Sequence, residues 1–471
     1  MLYTNRVIDS SGIQFGTSGA RGLVSSFTPE VSAAFTHAFL NTVETNFSFQ
    51  CVAIAIDNRP SSPEIARACI HAIESKGYQA IYYGVIPTPA LAYTAMLKGI
   101  PSIMVTGSHI PFNRNGLKFY RPDGEITKLD EKAILGVSLK YPEPLNLPDL
   151  NICHDAKIKY IYRYTQLFPE GFLKGKKIGI YEHSSAGRDI YAPLFTQLGA
   201  EVISLDRSDK FVPIDTEAVS ESDKIRAKNW VKKYQLDCVF STDGDGDRPL
   251  VSDEYGNWLR GDILGFLCAK EMRMEALSVP VSCNSIINES YFDKVVRTRI
   301  GSPYVIDEFT RLAESYKRVS GFEANGGYLL GTDIVFNGVH LGALPTRDAL
   351  LPALILLYAA RASGIAELVS RLPKRYTYSD RIKDFPTGKS QDILNDGISN
   401  PQLIVGQLGL MKHTVIDVNT KDGLRITLDN DEIIHLRPSG NAPELRCYVE
   451  ANSEERARML VDIILNNVQS L

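Results

Sequence analysis

Residues 50–85 read QCVAIAIDNRPSSPEIARACIHAIESKGYQAIYYGV. Gln50 to Ile56 is an apolar run, Ser62 to Lys76 carries a helical pattern, and Gln79 to Val85 is apolar again, with Ser102 to Thr106 next. Strand-length runs alternating with helical segments predict α/β units with largely parallel strands. Downstream, Tyr141 to Leu150 holds three prolines and reads as a linker. A second α/β block runs from about Ala156 through Lys177 to Tyr181, Arg188 to Leu198 and Glu201 to Leu205. Gly261-Asp262 opens a third, with Ser278 to Ser282, a strand pair around Ile300 and Gly321, and a long apolar helix expected from Arg347 to Ala362. After Leu372-Pro373-Lys374 the character changes. Thr414 to Val418, Leu424 to Leu428, Glu432 to Leu436 and Leu445 to Val449 are short alternating strands, followed by a helix from Glu454, an α+β pattern. The expected domains are 1–150, 151–260, 261–374 and 375–471.

A chain of 471 residues is too long for one simple core. Its net charge of −4 offers no basic field for nucleic acid or an anionic membrane, so a small-molecule partner is expected. Met1 to Gly16 lacks a signal pattern, and the most apolar stretch, Ala349 to Ala360, is too short to span a bilayer and contains Pro352. A cytoplasmic location is the default expectation. The 7 cysteines are scattered without CxxC spacing, which suggests neither disulfides nor a zinc site.

The chemistry concentrates in loops. Leu236 to Phe240 is apolar and runs into Ser241-Thr242-Asp243-Gly244-Asp245-Gly246-Asp247-Arg248. Three alternate carboxylates on a glycine-rich backbone repel one another and suit a hard divalent cation; a solvated acidic turn is the bland alternative. An EF-hand fits Asp243, Asp245, Asp247 and Glu254, but Arg248 stands where its sharp turn needs glycine and the preceding segment reads as a strand. Asp243 as a phosphorylated nucleophile with Asp245 as acid is a second alternative. Phe15-Gly16-Thr17-Ser18-Gly19-Ala20-Arg21-Gly22 offers backbone amides and an arginine to an anion. Thr106-Gly107-Ser108-His109-Ile110-Pro111 follows a strand and exposes a serine able to carry a phosphoryl group, with His109 and Lys118 available for charge or protons. Glu323 and Asn325, in Gly321-Phe322-Glu323-Ala324-Asn325-Gly326-Gly327, can hydrogen-bond vicinal sugar hydroxyls. Arg437-Pro438-Ser439-Gly440-Asn441-Ala442-Pro443 suits a phosphate that is held but not transferred.

In this order and at these separations the loops resemble the α-D-phosphohexomutase superfamily, from Phe15 to Val449. The resemblance implies a heart-shaped, four-domain architecture: three similar α/β domains and a smaller α+β C-terminal domain around a central cleft. It implies that Ser108 is a phosphoserine, that Asp243, Asp245 and Asp247 bind Mg2+ with the phosphate on Ser108, and that Arg21, His109, Lys118 and Arg248 surround the transferring group. Glu323 and Asn325 would hold sugar hydroxyls; Arg437, Ser439, Gly440 and Asn441 would clamp the distal phosphate. The implied reaction interconverts hexose 6- and 1-phosphates, mannose phosphates first and glucose or glucosamine phosphates as alternatives, through a hexose 1,6-bisphosphate that also serves as activator. A monomer or weak dimer is expected. The chain departs from the family pattern at Ile110 (usually asparagine), Asn325 (often serine) and the Gly440-Asn441-Ala442-Pro443 run (commonly Gly-Thr-Glu-Pro). No histidine lies between His183 and His340 to act in the third domain. The general acid and base are not assigned.

Overall fold

The computed structural model describes residues 1–16, 19–144, 146–439 and 443–471. Three of its sheets repeat one plan. In the first, Cys51–Ile56 lies between parallel strands Gln79–Val85 and Ser102–Val105, and Arg114–Arg121 returns antiparallel beside the latter. In the second, Lys177–His183 lies between Glu201–Arg207 and Cys238–Thr242, with Pro249–Val251 returning. In the third, Ala276–Pro280 lies between Lys294–Thr298 and Val319–Phe322, with Tyr328–Leu330 returning. The sheets are thus mixed, each parallel trio being extended by antiparallel strands. A returning neighbour needs only a short turn, whereas a parallel one needs a crossover. That turn, at the carboxyl end of the third parallel strand, carries Ser108 in the first unit, the aspartate cluster in the second and Glu323 in the third. Crevices outside strand carboxyl ends are where such sheets bind ligands.

The helix expected from Arg347 begins later. Leu344–Asp348 is a strand paired with Tyr328–Leu330, and the helix is Leu350–Ala359. Asp348 ends the strand and starts the helix, its Oδ1 accepting the Leu350 amide at 3.0 Å. Its carboxylate also accepts the hydroxyls of Tyr160 and Tyr164 from the second unit. Burial of Arg347 and Asp348 follows from this ladder and these partners.

The last sheet is wholly antiparallel, in the order Tyr376–Ile382, Leu445–Ala451, Ile433–Pro438, Leu424–Leu428, Val415–Asn419. Glu454–Ser470 packs on it, as do Thr387–Ser399 and Pro401–Gln407, two helices whose interrupted apolar pattern gave no signal. Phe385, Leu394, Leu436, Leu460 and Ile464 belong to a core of its own, while one continuous cluster runs from Ile8 to Ile365 through the other units. Polar contacts join them. Asn284 Nδ2 donates to Arg375 O at 2.9 Å, the Ile300 backbone amide to Asp422 Oδ2 at 2.8 Å, and Lys421 Nζ to Arg297 O at 2.7 Å. Cys69, Cys238, Cys268, Cys283 and Cys447 are buried, and all seven thiols are free. Among the described residues no helix is long and apolar enough to cross a membrane.

Candidate active site

Ser108 sits in the left-handed region, φ 56°, a conformation costing ~1 kcal/mol or more for a residue with a side chain. Its surroundings impose it. The Ser108 amide donates to Thr106 Oγ1 at 2.8 Å, and Thr106 Oγ1 donates to Asp57 Oδ2 at 2.7 Å. Arg59, paired with Asp57 at 3.1 Å, donates to the carbonyls of Ser108 (3.0 Å), Ile110 (2.5 Å), Pro111 (2.8 Å) and Arg114 (3.0 Å). A Cβ at Gly107 would stand 2.6 Å from Arg59 Cζ, so only glycine admits the guanidinium. Neither Asp57 nor Arg59 was singled out from the sequence, although charged residues directly after an apolar strand were a usable signal. Arg59 contacts Ile110 through its carbonyl, which any residue offers, so that contact tolerates the departure there.

Across the interface with the second unit, Ser108 Oγ donates to Asp243 Oδ2 at 2.7 Å. Asp243 Oδ1 accepts the amides of Asp247 and Arg248, each at 3.2 Å. Asp245 Oδ2 accepts Thr88 Oγ1 and Lys118 Nζ, both at 2.6 Å. Asp247 Oδ2 accepts Lys118 Nζ at 2.7 Å and Arg347 through Nε (3.1 Å) and Nη2 (2.9 Å). All three aspartates are buried, and each offers an oxygen within 4.8 Å of the others. Burial, then Asp245 and Asp247, push the Asp243 carboxyl well above the usual range. Burial opposes ionisation of Asp247 too, but Arg347, Lys118 and Arg248 outweigh it and hold that carboxyl well below.

This donor set fits a hard divalent cation. Among the described residues none hydrogen-bonds to the buried Asp245 Oδ1 or Asp247 Oδ1, the latter having Arg248 Nε 3.8 Å away, and the Ser108 oxygen stands beside Asp243. Unpaired buried carboxylate oxygens are costly unless something positive occupies the space between them.

On the open side, Arg248 Nη1 lies 3.1 Å from His109 Nδ1. A guanidinium only donates, so Nδ1 accepts and the ring proton sits on Nε2. Burial, then Arg248 and Arg21, hold the His109 imidazole well below its ordinary pKa, hence neutral. The same crowding, burial first and Arg248 next, lowers Arg21 to about 10. Arg347 spans two loops: its Nη1 reaches Glu323 Oε2 at 3.1 Å while its other face holds Asp247. Asn325 Nδ2 is 3.5 Å from Glu323 Oε2, and Asn325 Oδ1 accepts the Gly327 amide at 3.0 Å. Arg347 was missed because its segment read as helix. The structure therefore brings together Ser108, His109, Lys118, the three aspartates and Arg248 directly, Glu323 through Arg347, and Asn325 through Glu323. Arg437 pairs within its own unit with Asp422, in the turn between Val415–Asn419 and Leu424–Leu428, at 3.0 Å, and the Ser439 amide donates to Glu444 O at 2.8 Å. Gly440 and Asn441 lie outside the described residues.

The chain is 58% identical to a phosphomannomutase of Salmonella muenchen, covering 99% of this chain and 98% of that protein. The chain belongs to the phosphoglucomutase/phosphomannomutase family. Family descriptions match domain by domain: alpha/beta/alpha domain I over residues 12–142, alpha/beta/alpha domain III over 260–376 and the C-terminal domain over 391–467. A second phosphomannomutase of this family, from Sinorhizobium fredii, is 41% identical over 96% of this chain and 97% of its own. The crystal structure of a phosphoglucomutase/phosphomannomutase family protein from Burkholderia thailandensis has the same fold, with a TM-score of 0.74 over 96% of this chain and 97% of that one at 18% identity. Phosphohexomutases are isomerases that move a phosphoryl group.

Proposed function

We propose that the chain interconverts mannose 6-phosphate and mannose 1-phosphate through a phosphoserine at Ser108 and a hexose 1,6-bisphosphate. The observation that carries this is the 2.7 Å contact of Ser108 Oγ with Asp243 Oδ2, inside a buried carboxylate triad balanced by Lys118, Arg248 and Arg347. The 58% identity to a phosphomannomutase supports the choice of sugar. In this reading the Ser108 Oγ–phosphorus bond breaks as a sugar hydroxyl oxygen bonds to phosphorus, and the hydroxyl proton leaves to a base. The bisphosphate turns end for end, and its other phosphate returns to Ser108. Asp243, Asp245, Asp247 and the serine oxygen would hold Mg2+, which when bound supplies positive charge to the transferring group. Lys118, Arg248 and Arg21 stabilise that charge, work that dominates phosphoryl transfer. His109, neutral and with its proton on Nε2, donates a hydrogen bond without adding charge. Glu323 and Asn325 orient sugar hydroxyls, and Arg437, Ser439, Gly440 and Asn441 grip the phosphate that is not transferred. Ser108 and the triad are almost fully buried, which keeps water from intercepting the phosphoryl group. All these residues come from one chain, so the reading needs no second copy. We place the enzyme in the cytoplasm, where seven free thiols stay reduced.

The test is a coupled assay of mannose, glucose and glucosamine 1-phosphates with Mg2+ and a bisphosphate activator, alongside peptide mapping of the phosphorylated protein. Preference for mannose 1-phosphate and an acid-stable phosphate on Ser108 are expected. Phosphate on Asp243, or preference for glucosamine 1-phosphate, overturns the reading.

A further inference from the structure

Asp422 touches both the arginine that opens the phosphate loop and the third unit. Its Oδ2 lies 3.0 Å from Arg437 Nε, and the same oxygen accepts the Ile300 amide from the loop after strand Lys294–Thr298 at 2.8 Å. The backbone beneath it is fixed from two sides. His435 Nε2 lies 2.6 Å from the Asp422 carbonyl and donates to it. Gly423 follows at φ 87°, and a Cβ there would collide with the Leu436 carbonyl oxygen and stand 3.1 Å from Arg437 Cα, so the turn lies flat on the strand that carries Arg437. The carboxylate is therefore aimed rather than draped. It stands 3.0 Å from the guanidinium at Nε as a half-buried ion pair without hydrogen-bond alignment, a charge contact that holds the arginine at this end of the turn. The surrounding ties between these units are polar and separate: Arg299 Nε donates to Lys421 O at 3.2 Å and Lys421 Nζ to Arg297 O at 2.7 Å.

We propose that Asp422 is a positioning residue that couples docking of the fourth unit on the third to the orientation of Arg437 toward the distal phosphate. One carboxylate oxygen serves both contacts, so losing the docked position costs Arg437 its orientation, and an oriented Arg437 favours the docked position. This rests on the reading of the Arg437 loop as the phosphate clamp.

The experiment compares Asp422→Asn and Arg437→Gln in the full-length enzyme, with steady-state kinetics on mannose 1-phosphate and amide hydrogen exchange of the peptide containing Ile300. Asn keeps the shape of Asp but loses its charge, so folding is preserved; thermal unfolding of both variants checks this. Asp422→Asn is expected to raise KM about tenfold, the size of a lost charge-assisted contact, with kcat within about threefold. It is also expected to speed exchange at the Ile300 peptide. Arg437→Gln is expected to raise KM at least as much. If Arg437→Gln raises KM while Asp422→Asn leaves both KM and Ile300 exchange unchanged, the coupling is wrong and the clamp stands. If Arg437→Gln leaves KM unchanged, the clamp itself is wrong. A purely structural Asp422 would lower kcat and KM effects together with stability and would not change Ile300 exchange selectively, which also overturns the proposal.

Discussion

Arg347 grips Asp247 Oδ2 through Nε at 3.1 Å and Nη2 at 2.9 Å, and with its remaining nitrogen it reaches Glu323 Oε2 at 3.1 Å. Both arginine and aspartate are buried, so the pair joins the acid loop of the second unit to the Glu323 loop of the third in a medium where charge is poorly screened. Burial alone would lower the Arg347 pKa; Asp247 and Glu323 outweigh it and raise it well above its ordinary value.

Removing one member of such a pair leaves a buried, uncompensated charge. Arg347→Ala is expected to destabilise the protein by about 3–5 kcal/mol in denaturant unfolding. Activity should fall as well, because Glu323 and Asp247 lose their common tether. An unfolding midpoint equal to that of the parent would show that the ion pair is not buried in solution.

Lys118 balances Asp245 and Asp247 at 2.6 and 2.7 Å. Lys118→Met should therefore make stability depend on Mg2+. In chelator the variant is expected to lose about 3 kcal/mol, and added Mg2+ should recover more stability in the variant than in the parent. Equal Mg2+ responses would contradict a metal site shared by these carboxylates.

Arg59 holds four carbonyls of the serine loop with one planar fork. Lysine cannot reproduce that geometry. Arg59→Lys is expected to cut kcat about a hundredfold, as a misplaced nucleophile does, with a much smaller change in KM. Initial rates over a range of sugar phosphate concentrations separate the two. A rise in KM alone would mean that Arg59 serves binding instead of placement.

Stability should fall on mild acidification. Burial holds the His183 and His435 imidazoles down at about 4, so below the ordinary pKa of ~6.5 the unfolded chain takes up protons that the folded chain refuses. The loss begins as pH drops through ~6.5, grows by up to ~1.4 kcal/mol per pH unit for each imidazole, and levels off near 4. Denaturant unfolding at pH 7.5 and 5 should show it, and His435→Gln should flatten the slope by one group's share. A slope unchanged by that substitution would assign the acid sensitivity elsewhere.

The α/β class was visible in Gln50 to Val85, and the acid loop in Asp243 to Arg248, because both are local patterns: a period of alternation and a run of like charges. The threefold repetition of one strand order was not. Strand order is set by pairing between distant segments, and residues that share a backbone plan need share no side chains. Arg347 was hidden for a related reason. Its segment is apolar enough to suggest a helix, and only the ladder with Tyr328–Leu330 makes it a strand that ends in the site.

The sequence by itself determined which chemical groups each loop carries: a serine after glycine at a strand end, three alternate aspartates, a Glu-x-Asn pair and an Arg-Pro-Ser-Gly run. These follow from neighbouring residues and hold whatever the fold does with them. Only the tertiary structure decided that Ser108 faces Asp243, 135 residues away, that Lys118 lies between Asp245 and Asp247, that Asp57, Arg59 and Arg347 stand behind them, and that Asp422 pairs with Arg437. The physical reason is burial. A carboxylate in a turn is an ordinary solvated group until packing removes its water, and which cation then answers it depends on the segment that the fold brings alongside.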